Sequence, residues 1–304
     1  MIYNGIYPTM ITPYRDGKID FKNVEKLVSW YIENGCHGIF AVCQSSEMNF
    51  LSLKERKELA KKVVEFSEGK LSVVVSGHCD ASLDAQAEEI ASISECGADS
   101  FVLVSNRLDI HNLGDDVWIE NAEKLLEKLP ENLRLGIYEC PMPYKRLLTP
   151  KILEWCKSTG RFDFIKDTCC NPDMLKKRLI QLKDSSIKLF NANEQTFLHS
   201  LKHGGEGYSG IMANFHPDLL VWLFENFENQ PEKSEILSDA LSMSAFTESP
   251  AYPSTAKHYL SYEGFDMDIF SRSSSPENLT SYQKLVMEQL YRHNERLRKF
   301  ITEV

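Results

Sequence analysis

One lysine sets the first chemical question. Lys166 follows the short apolar run Phe162-Asp163-Phe164-Ile165 and precedes Asp167 and Thr168. A strand buried on both faces excludes an ammonium group, because stripping water from the charge is costly. A lysine at the carboxyl end of such a strand is therefore a candidate nucleophile. Burial lowers its pKa, and the free amine attacks a carbonyl to give a Schiff base. The competing reading is a lysine that snorkels from the strand end into solvent. Three other strand ends carry useful side chains. Cys43-Gln44-Ser45-Ser46-Glu47 offers hydroxyls and backbone N–H groups that could hold a carboxylate, or is simply a polar turn. Tyr138-Glu139-Cys140-Pro141 offers a phenol able to move a proton, or a half-buried aromatic with its hydroxyl satisfied. Tyr208-Ser209-Gly210 ends in a glycine that lets a substrate approach the backbone closely. Metal chemistry has weaker support. Cys169-Cys170 lacks zinc spacing, and His199 and His203 fall four apart without the glutamate of a His-Glu-X-X-His helix.

The elements that position these residues alternate regularly. The apolar run Ile6 to Thr12 predicts a first strand, followed by a turn at Asp16-Gly17. Val24, Leu27, Val28, Tyr31 and Ile32 fall at helical spacing, with Gly35 closing the helix. Gly38 to Val42 reads as the second strand. Ser52 and Glu55 form a capping box for a helix reaching Phe66. Further strands are predicted at 71–75, 101–104, 133–138, 162–165, 187–190 and 207–211. Helices are predicted between them, including 194–202, and after Pro217. Eight strand–helix alternations imply a parallel sheet, and this number in about 225 residues fits a closed (β/α)8 TIM barrel of the α/β class. In such barrels chemistry sits at the carboxyl ends of the strands, where Lys166 falls. Gly205-Glu206-Gly207 reads as a helix-to-strand turn, not a phosphate loop. The pattern changes after Phe227. The predicted organisation is a barrel domain over 1–227 and a C-terminal helical extension over 228–304. The extension comprises a polar linker at 228–233, helices near 232–247, 253–263 and 277–303, and a Ser-rich loop whose Arg272 is read as a solvated charge.

Composition narrows the partners. The chain has 304 residues, 42% hydrophobic and 26% charged, which suits a water-soluble globular fold. A formal net charge of -10, with no basic cluster interleaved with aromatics, argues against nucleic acid as a partner. No apolar run is long enough to span a bilayer, and Met1 to Gly5 carries no signal-peptide features. Eight scattered cysteines read as reduced thiols. The expected location is therefore cytoplasmic, with no membrane partner and no cofactor.

Together these motifs resemble the dihydrodipicolinate synthase/N-acetylneuraminate lyase family of class I, Schiff-base pyruvate lyases. The similarity covers nearly the whole chain. Gly5-Ile6-Tyr7-Pro8-Thr9 with Asp16-Gly17 resembles the family's first strand and turn. Cys43 to Glu47 occupies its Gly-Thr-Thr-Gly-Glu motif, Tyr138 and Pro141 fit Tyr-Asn-X-Pro, and Ile165-Lys166-Asp167 fits Ile-Lys-Asp/Glu. Gly204 to Asn214 resembles the last strand, and Tyr252-Pro253 with Lys257 a stretch of the C-terminal helices. The resemblance implies that Lys166 forms an imine with pyruvate or another 2-oxo acid and that Tyr138 is the acid/base. It implies that Ser45, Ser46 and the backbone at Ser209 hold the carboxylate, and that the chain forms a homo-oligomer, dimer or tetramer. Three departures bear on the second substrate. Gln44 replaces a threonine whose hydroxyl relays protons in the synthase. Asn106-Arg107 replaces a tyrosine pair. Pro143 stands where the synthase has a substrate-binding arginine. Gln44 and Arg107 thus join the candidate substrate-binding residues. The expectation is an aldolase or lyase for a 2-oxo sugar acid, of the N-acetylneuraminate or 2-keto-3-deoxy sugar acid type. Dihydrodipicolinate synthase itself is the alternative, and a non-catalytic 2-oxo acid sensor is the alternative from another class.

Overall fold

The computed structural model describes residues 1–247 and 251–303. Strand β1 (Gly5–Ile6) is followed by an antiparallel hairpin of β2 (Tyr14–Arg15) and β3 (Lys18–Ile19). The barrel continues with β4 (Gly38–Ala41), β5 (Ser72–Val75), β6 (Ser100–Val104), β7 (Leu135–Tyr138), β8 (Phe162–Asp167), β9 (Lys188–Asn191) and β10 (Gly207–Tyr208). These strands run parallel in the order β1-β10-β9-β8-β7-β6-β5-β4. The segment after β1 closes the ring. Phe40 N–H donates to the Pro8 carbonyl at 2.9 Å, Met10 N–H to the Phe40 carbonyl at 3.0 Å, and Thr9 bridges Phe40 in parallel. The predicted first strand is therefore interrupted. Pro8 has no N–H for the ladder, so regular pairing stops at Ile6 and resumes as a single bridge at Thr9.

Helices α1 (Phe21–Glu33), α2 (Leu53–Ser67), α3 (Leu83–Ser94), α4 (Asp115–Leu126), α5 (Pro150–Thr159), α6 (Pro172–Leu182), α7 (Phe197–Lys202) and α8 (Pro217–Asn226) surround the strands. The result is the (β/α)8 barrel predicted from the alternation. Side-chain caps set the helix starts. Ser52 and Glu55 form the predicted capping box, and Ser82, Thr149 and Asn171 each accept an N–H of the first turn. The helix predicted over 194–202 divides into a 3-10 turn, Glu194–Thr196, and α7.

The C-terminal segment carries α9 (Pro231–Ser244), α10 (Ser254–Tyr262) and α11 (Ser281–Thr302). The polar linker is shorter than predicted, because Pro231 starts α9, its missing N–H costing nothing in a first turn. The segment packs on this chain's own barrel. Arg298 pairs with Asp218 of α8 at 2.7 Å, and Asp268 bridges Tyr14 of the hairpin. Arg272 is not a solvated loop charge. It pairs with Glu55 of α2 at 2.8 Å, donates to the Phe50 and Gly17 carbonyls, and lies 5.0 Å from the Tyr14 ring centroid. A capping-box carboxylate and an aromatic face, both contributed by distant sequence, turn a loop arginine into a strut.

The barrel interior is filled by rings. Phe164 and Phe190 stack at 4.6 Å, Tyr7 meets Phe190 edge-on at 4.7 Å, and Phe40 meets Phe164 at 6.0 Å. Where these rings press on the backbone only glycine fits. Gly5 pairs with Gly207 across the β1–β10 seam, and a Cβ on Gly207 would collide with the Gly5 carbonyl and lie 2.8 Å from the Phe190 ring. Gly205, Gly207 and Gly210 fall at the spacing of a dinucleotide fingerprint. Here they lead through a two-residue strand into a 3-10 turn, Ile211–Asn214, with no long helix to receive a pyrophosphate. Gly207→Ala is expected to lower stability by about 1–3 kcal/mol through overpacking. The checking measurement is urea unfolding, with a lower midpoint at unchanged slope.

Candidate active site

β7 and β8 are neighbours, and Tyr138 and Lys166 are register partners on them. The 28-residue separation is therefore one βαβ turn, which places phenol and amine side by side at the carboxyl end of the barrel. Lys166 is 4% exposed and Tyr138 5%. The Lys166 Nζ lies 4.3 Å from the Tyr138 ring centroid and 5.5 Å from that of Phe40, so the amine rests on the top ring layer of the core. A lysine snorkelling to bulk water would not sit there. Burial holds the Tyr138 hydroxyl well above the ordinary tyrosine pKa, with the nearby Cys140 and Cys43 thiols adding to it.

Successive strand residues face opposite ways, so Glu139 and Asp167 point outward from the same two strand ends. Both are buried, and Arg178 of α6 joins them. Its guanidinium lies 2.7 Å from Glu139, pairs closely with Asp167, and donates to the Leu148 carbonyl at 2.6 Å. Burial opposes the guanidinium's charge, but the two carboxylates outweigh it and raise its pKa. Burial likewise raises Glu139, with Arg178 opposing. Glu139 also accepts the Leu148 and Thr168 N–H groups at 2.7 and 2.8 Å, fixing the loop after each strand.

A cavity of about 740 Å³ opens above this floor. Of the sequence-derived candidates, Lys166, Tyr138, Gln44, Ser45 and Arg107 line it. Ser46 and Ser209 do not. The Ser46 hydroxyl donates to the Met10 carbonyl at 2.6 Å, and its N–H closes a turn on the Cys43 carbonyl at 3.1 Å. The Ser209 side chain is fully buried and its N–H donates to the Asn191 carbonyl at 2.8 Å. The Ser46 hydroxyl and the Ser209 N–H thus belong to the wall's internal bonding. The Ser45 hydroxyl donates to Thr9 Oγ1 at 3.1 Å.

Several residues in the site carried no usable signal in the sequence. Cys140 donates its thiol proton to Gln44 Oε1 at 2.8 Å and also contacts the Tyr138 hydroxyl, joining two strand ends that are 96 residues apart. Asn106 clamps the loop after β7 through the carbonyls of Cys140, Met142 and Tyr144 at 3.0, 2.9 and 2.7 Å. Glu47 lines the cavity with Glu194. Glu47 accepts from the Ser271 hydroxyl and from the N–H groups of Arg272 and Ser273, and lies 3.6 Å from Lys257 of α10. Burial pulls the Lys257 pKa down to about 8, with Glu47 opposing. Glu194 pairs with His216 at 2.7 Å. Cys140, Asn106, Glu47 and Lys257 are named in the sequence only as members of motifs, with no role of their own. The others differ from any buried polar residue only by their neighbours. None of the eight cysteines forms a disulfide, and among the described residues no group of three or more metal-ligating side chains is placed to hold an ion. No helix among the described residues is long and apolar enough to cross a membrane.

Comparison with known proteins places this arrangement. The model of the dihydrodipicolinate synthetase family matches residues 2–108. The 4-hydroxy-tetrahydrodipicolinate synthase of Thermosipho africanus is 26% identical over 233 residues, 75% of this chain and 77% of that protein. The enzyme of the same name from Methanocaldococcus jannaschii is 26% identical over 224 residues, 72% and 74% of the two chains. The chain is thus similar to this family's model over its first third and to the family's synthases over about three quarters of its length. Members of that family are lyases, the class that the sequence motifs implied. Solved structures agree on the fold. The sialic acid aldolase of Ruminococcus gnavus superposes with a TM-score of 0.87 at 17% identity, covering 98% of this chain and 99% of that one. YagE, an Escherichia coli K12 prophage protein of the dihydrodipicolinic acid synthase family in complex with pyruvate, gives 0.84 at 19% identity, covering 98% and 99%.

Replacing Arg178 by methionine strands two buried carboxylates and is expected to cost about 3–5 kcal/mol. The sign with pH follows from linkage. Without the guanidinium nothing offsets burial at Glu139, and its folded pKa rises further above the unfolded value. The variant therefore loses stability as pH climbs through the unfolded carboxylate range and beyond, and is least damaged near pH 5. Thermal unfolding of Arg178→Met and wild type between pH 5 and 8 checks this, with a widening gap expected.

Proposed function

We infer that Lys166 is the Schiff-base nucleophile of an aldolase that cleaves a 2-oxo sugar acid to pyruvate and an aldehyde, or runs the reverse condensation. The observation that carries this reading is the amine of Lys166 lying over the ring of its register partner Tyr138, at the floor of a cavity of about 740 Å³. In the cleavage direction the amine attacks the C2 carbonyl and water leaves, giving a protonated imine. The C4 hydroxyl loses its proton, the C3–C4 bond breaks, and its electron pair enters the imine to form an enamine as the aldehyde departs. Protonation at C3 and hydrolysis of the imine release pyruvate and restore the amine.

Tyr138 is the group at hand for the C4 proton. A phenol held protonated by burial accepts a proton only while passing its own to a neighbour. The proton taken from C4–OH is balanced by the one the cycle returns at C3, and the Cys140 thiol, which contacts the phenol and donates its own proton to Gln44 Oε1, orients the phenol for both transfers. The turn at Ser45 is the nearest polar wall for the substrate carboxylate. Sugar hydroxyls are matched by the amide and carboxylate lining of Asn49, Asn193, Glu194 and Gln195.

The names of the curated relatives favour a second reading, condensation of pyruvate with aspartate semialdehyde as in dihydrodipicolinate synthesis. Pro143 in the cavity wall, where the synthase has an arginine, weighs against it. Borohydride reduction in the presence of pyruvate, read by peptide mass spectrometry, is expected to leave a pyruvate-sized adduct on Lys166. Absence of an adduct on folded protein would sink the reading. Tyr138→Phe is expected to keep the adduct while lowering turnover by about 10²–10⁴-fold. A coupled assay with aspartate semialdehyde separates the second reading.

A further inference from the structure

Four ionisable acid or cationic side chains line the cavity: Glu47, Arg107, Lys166 and Glu194. Both carboxylates are answered within the protein, Glu47 by Lys257 and three hydrogen-bond donors, Glu194 by His216. Lys166 is committed to the imine on the reading above. Arg107 is left over. Among the described residues its guanidinium makes no ion pair and one hydrogen bond, a long one of 3.5 Å to the neutral Asn49 Oδ1. The backbone that carries it is nevertheless well held. Arg107 ends the 3-10 turn Ser105–Arg107, its carbonyl accepts from Gln86, and Asn106 beside it clamps three carbonyls of the opposite loop. In a chain with 44 acidic against 34 basic residues, a cavity-lining arginine has been left without a carboxylate. A guanidinium presents five N–H donors in a fork that fits carboxylate or phosphate.

We propose that Arg107 binds an acid group at the far end of the substrate. The substrate is then a 2-oxo acid carrying a second carboxylate or a phosphate, and its aldehyde half is acid-terminated. This rests on the Schiff-base reading and narrows it. The arginine reaches the cavity from the loop after β6, away from position 143 in the loop after β7, so it supplies an anchor from a different wall. A hydrogen bond to a charged group is worth about 1.5–3 kcal/mol, which corresponds to a preference of about 10- to 100-fold.

Calorimetric titration with 2-oxoglutarate and 2-oxopentanoate, which differ by one terminal carboxylate, tests the anchor directly. Wild type is expected to bind the diacid about 10-fold or more tightly than the monoacid, and Arg107→Met to erase the difference while Arg107→Lys restores part of it. Equal binding of the two by wild type, or an equal loss of both in the variant, overturns the proposal. Condensation of pyruvate with two matched pairs identifies the acid. The pairs are butanal against 4-oxobutanoate, and glyceraldehyde against glyceraldehyde 3-phosphate. The pair whose charged member loses kcat/KM in Arg107→Met, its neutral member unchanged, names carboxylate or phosphate. Loss in neither pair overturns the proposal. Borohydride trapping with pyruvate on both proteins keeps the two readings separate. An adduct on both with no charge preference removes only the Arg107 anchor. No adduct on wild type removes the imine, while the titration still decides the anchor.

Discussion

The whole site hangs on one guanidinium. Arg178 reaches from α6 between the ends of β7 and β8 and holds Glu139 and Asp167 together. Because strand residues alternate in direction, fixing these two outward carboxylates also fixes the inward residues beside them, Tyr138 and Lys166. Desolvation makes the arrangement demanding: the two carboxylates without the guanidinium would leave two like charges buried side by side in the helix layer. Its geometry is correspondingly rigid, and the loops after both strands are bonded to the same Glu139 carboxylate through Leu148 and Thr168. A positioning device is thereby kept apart from the reacting groups, on the opposite face of the same strands.

Below the site, packing decides what the lysine can do. Phe40, Phe164 and Phe190 fill the barrel so closely that the seam strands need glycine, and the top of this ring stack is the surface on which Lys166 Nζ rests. Above it, the C-terminal helices complete the wall. Lys257 and the Ser271–Ser273 backbone satisfy Glu47, while Arg272 ties the same loop to Glu55 and the Tyr14 ring. The wall thus contains buried charges, but each carboxylate has its partner, and among the described residues the Arg107 guanidinium makes no ion pair.

The departures from the family pattern are coupled in space. Gln44 looks like a loss when set against a threonine, yet its amide oxygen receives the Cys140 thiol, which also meets the Tyr138 hydroxyl. Asn106 looks like a lost aromatic, yet it secures the loop that carries Cys140 and frees Arg107 to face the cavity. Gln44 and Asn106 meet at Cys140, one on its thiol and the other on its carbonyl, which no reading of either motif alone could supply.

The amino-acid pattern alone determined the barrel, the order of its elements and the pairing of a lysine with a tyrosine at strand ends. Strand and helix periodicity, caps and turn residues act over a few neighbours, and a βαβ repeat leaves few topologies open. The sequence also placed Gln44, Ser45 and Arg107 in loops that line the cavity, since each follows a predicted strand. Tertiary structure decided what depends on distant partners. It turned Ser46 and Ser209 into the wall because the Met10 and Asn191 carbonyls claim them, and it made Arg272 a strut through Glu55 and Tyr14. It assigned Cys140 to Gln44, Arg178 to two strand ends, and no carboxylate to Arg107. The physical reason is common to all of these. A polar group's role is fixed by which donor or acceptor satisfies it once water is gone, and that partner lies tens to hundreds of residues away along the chain.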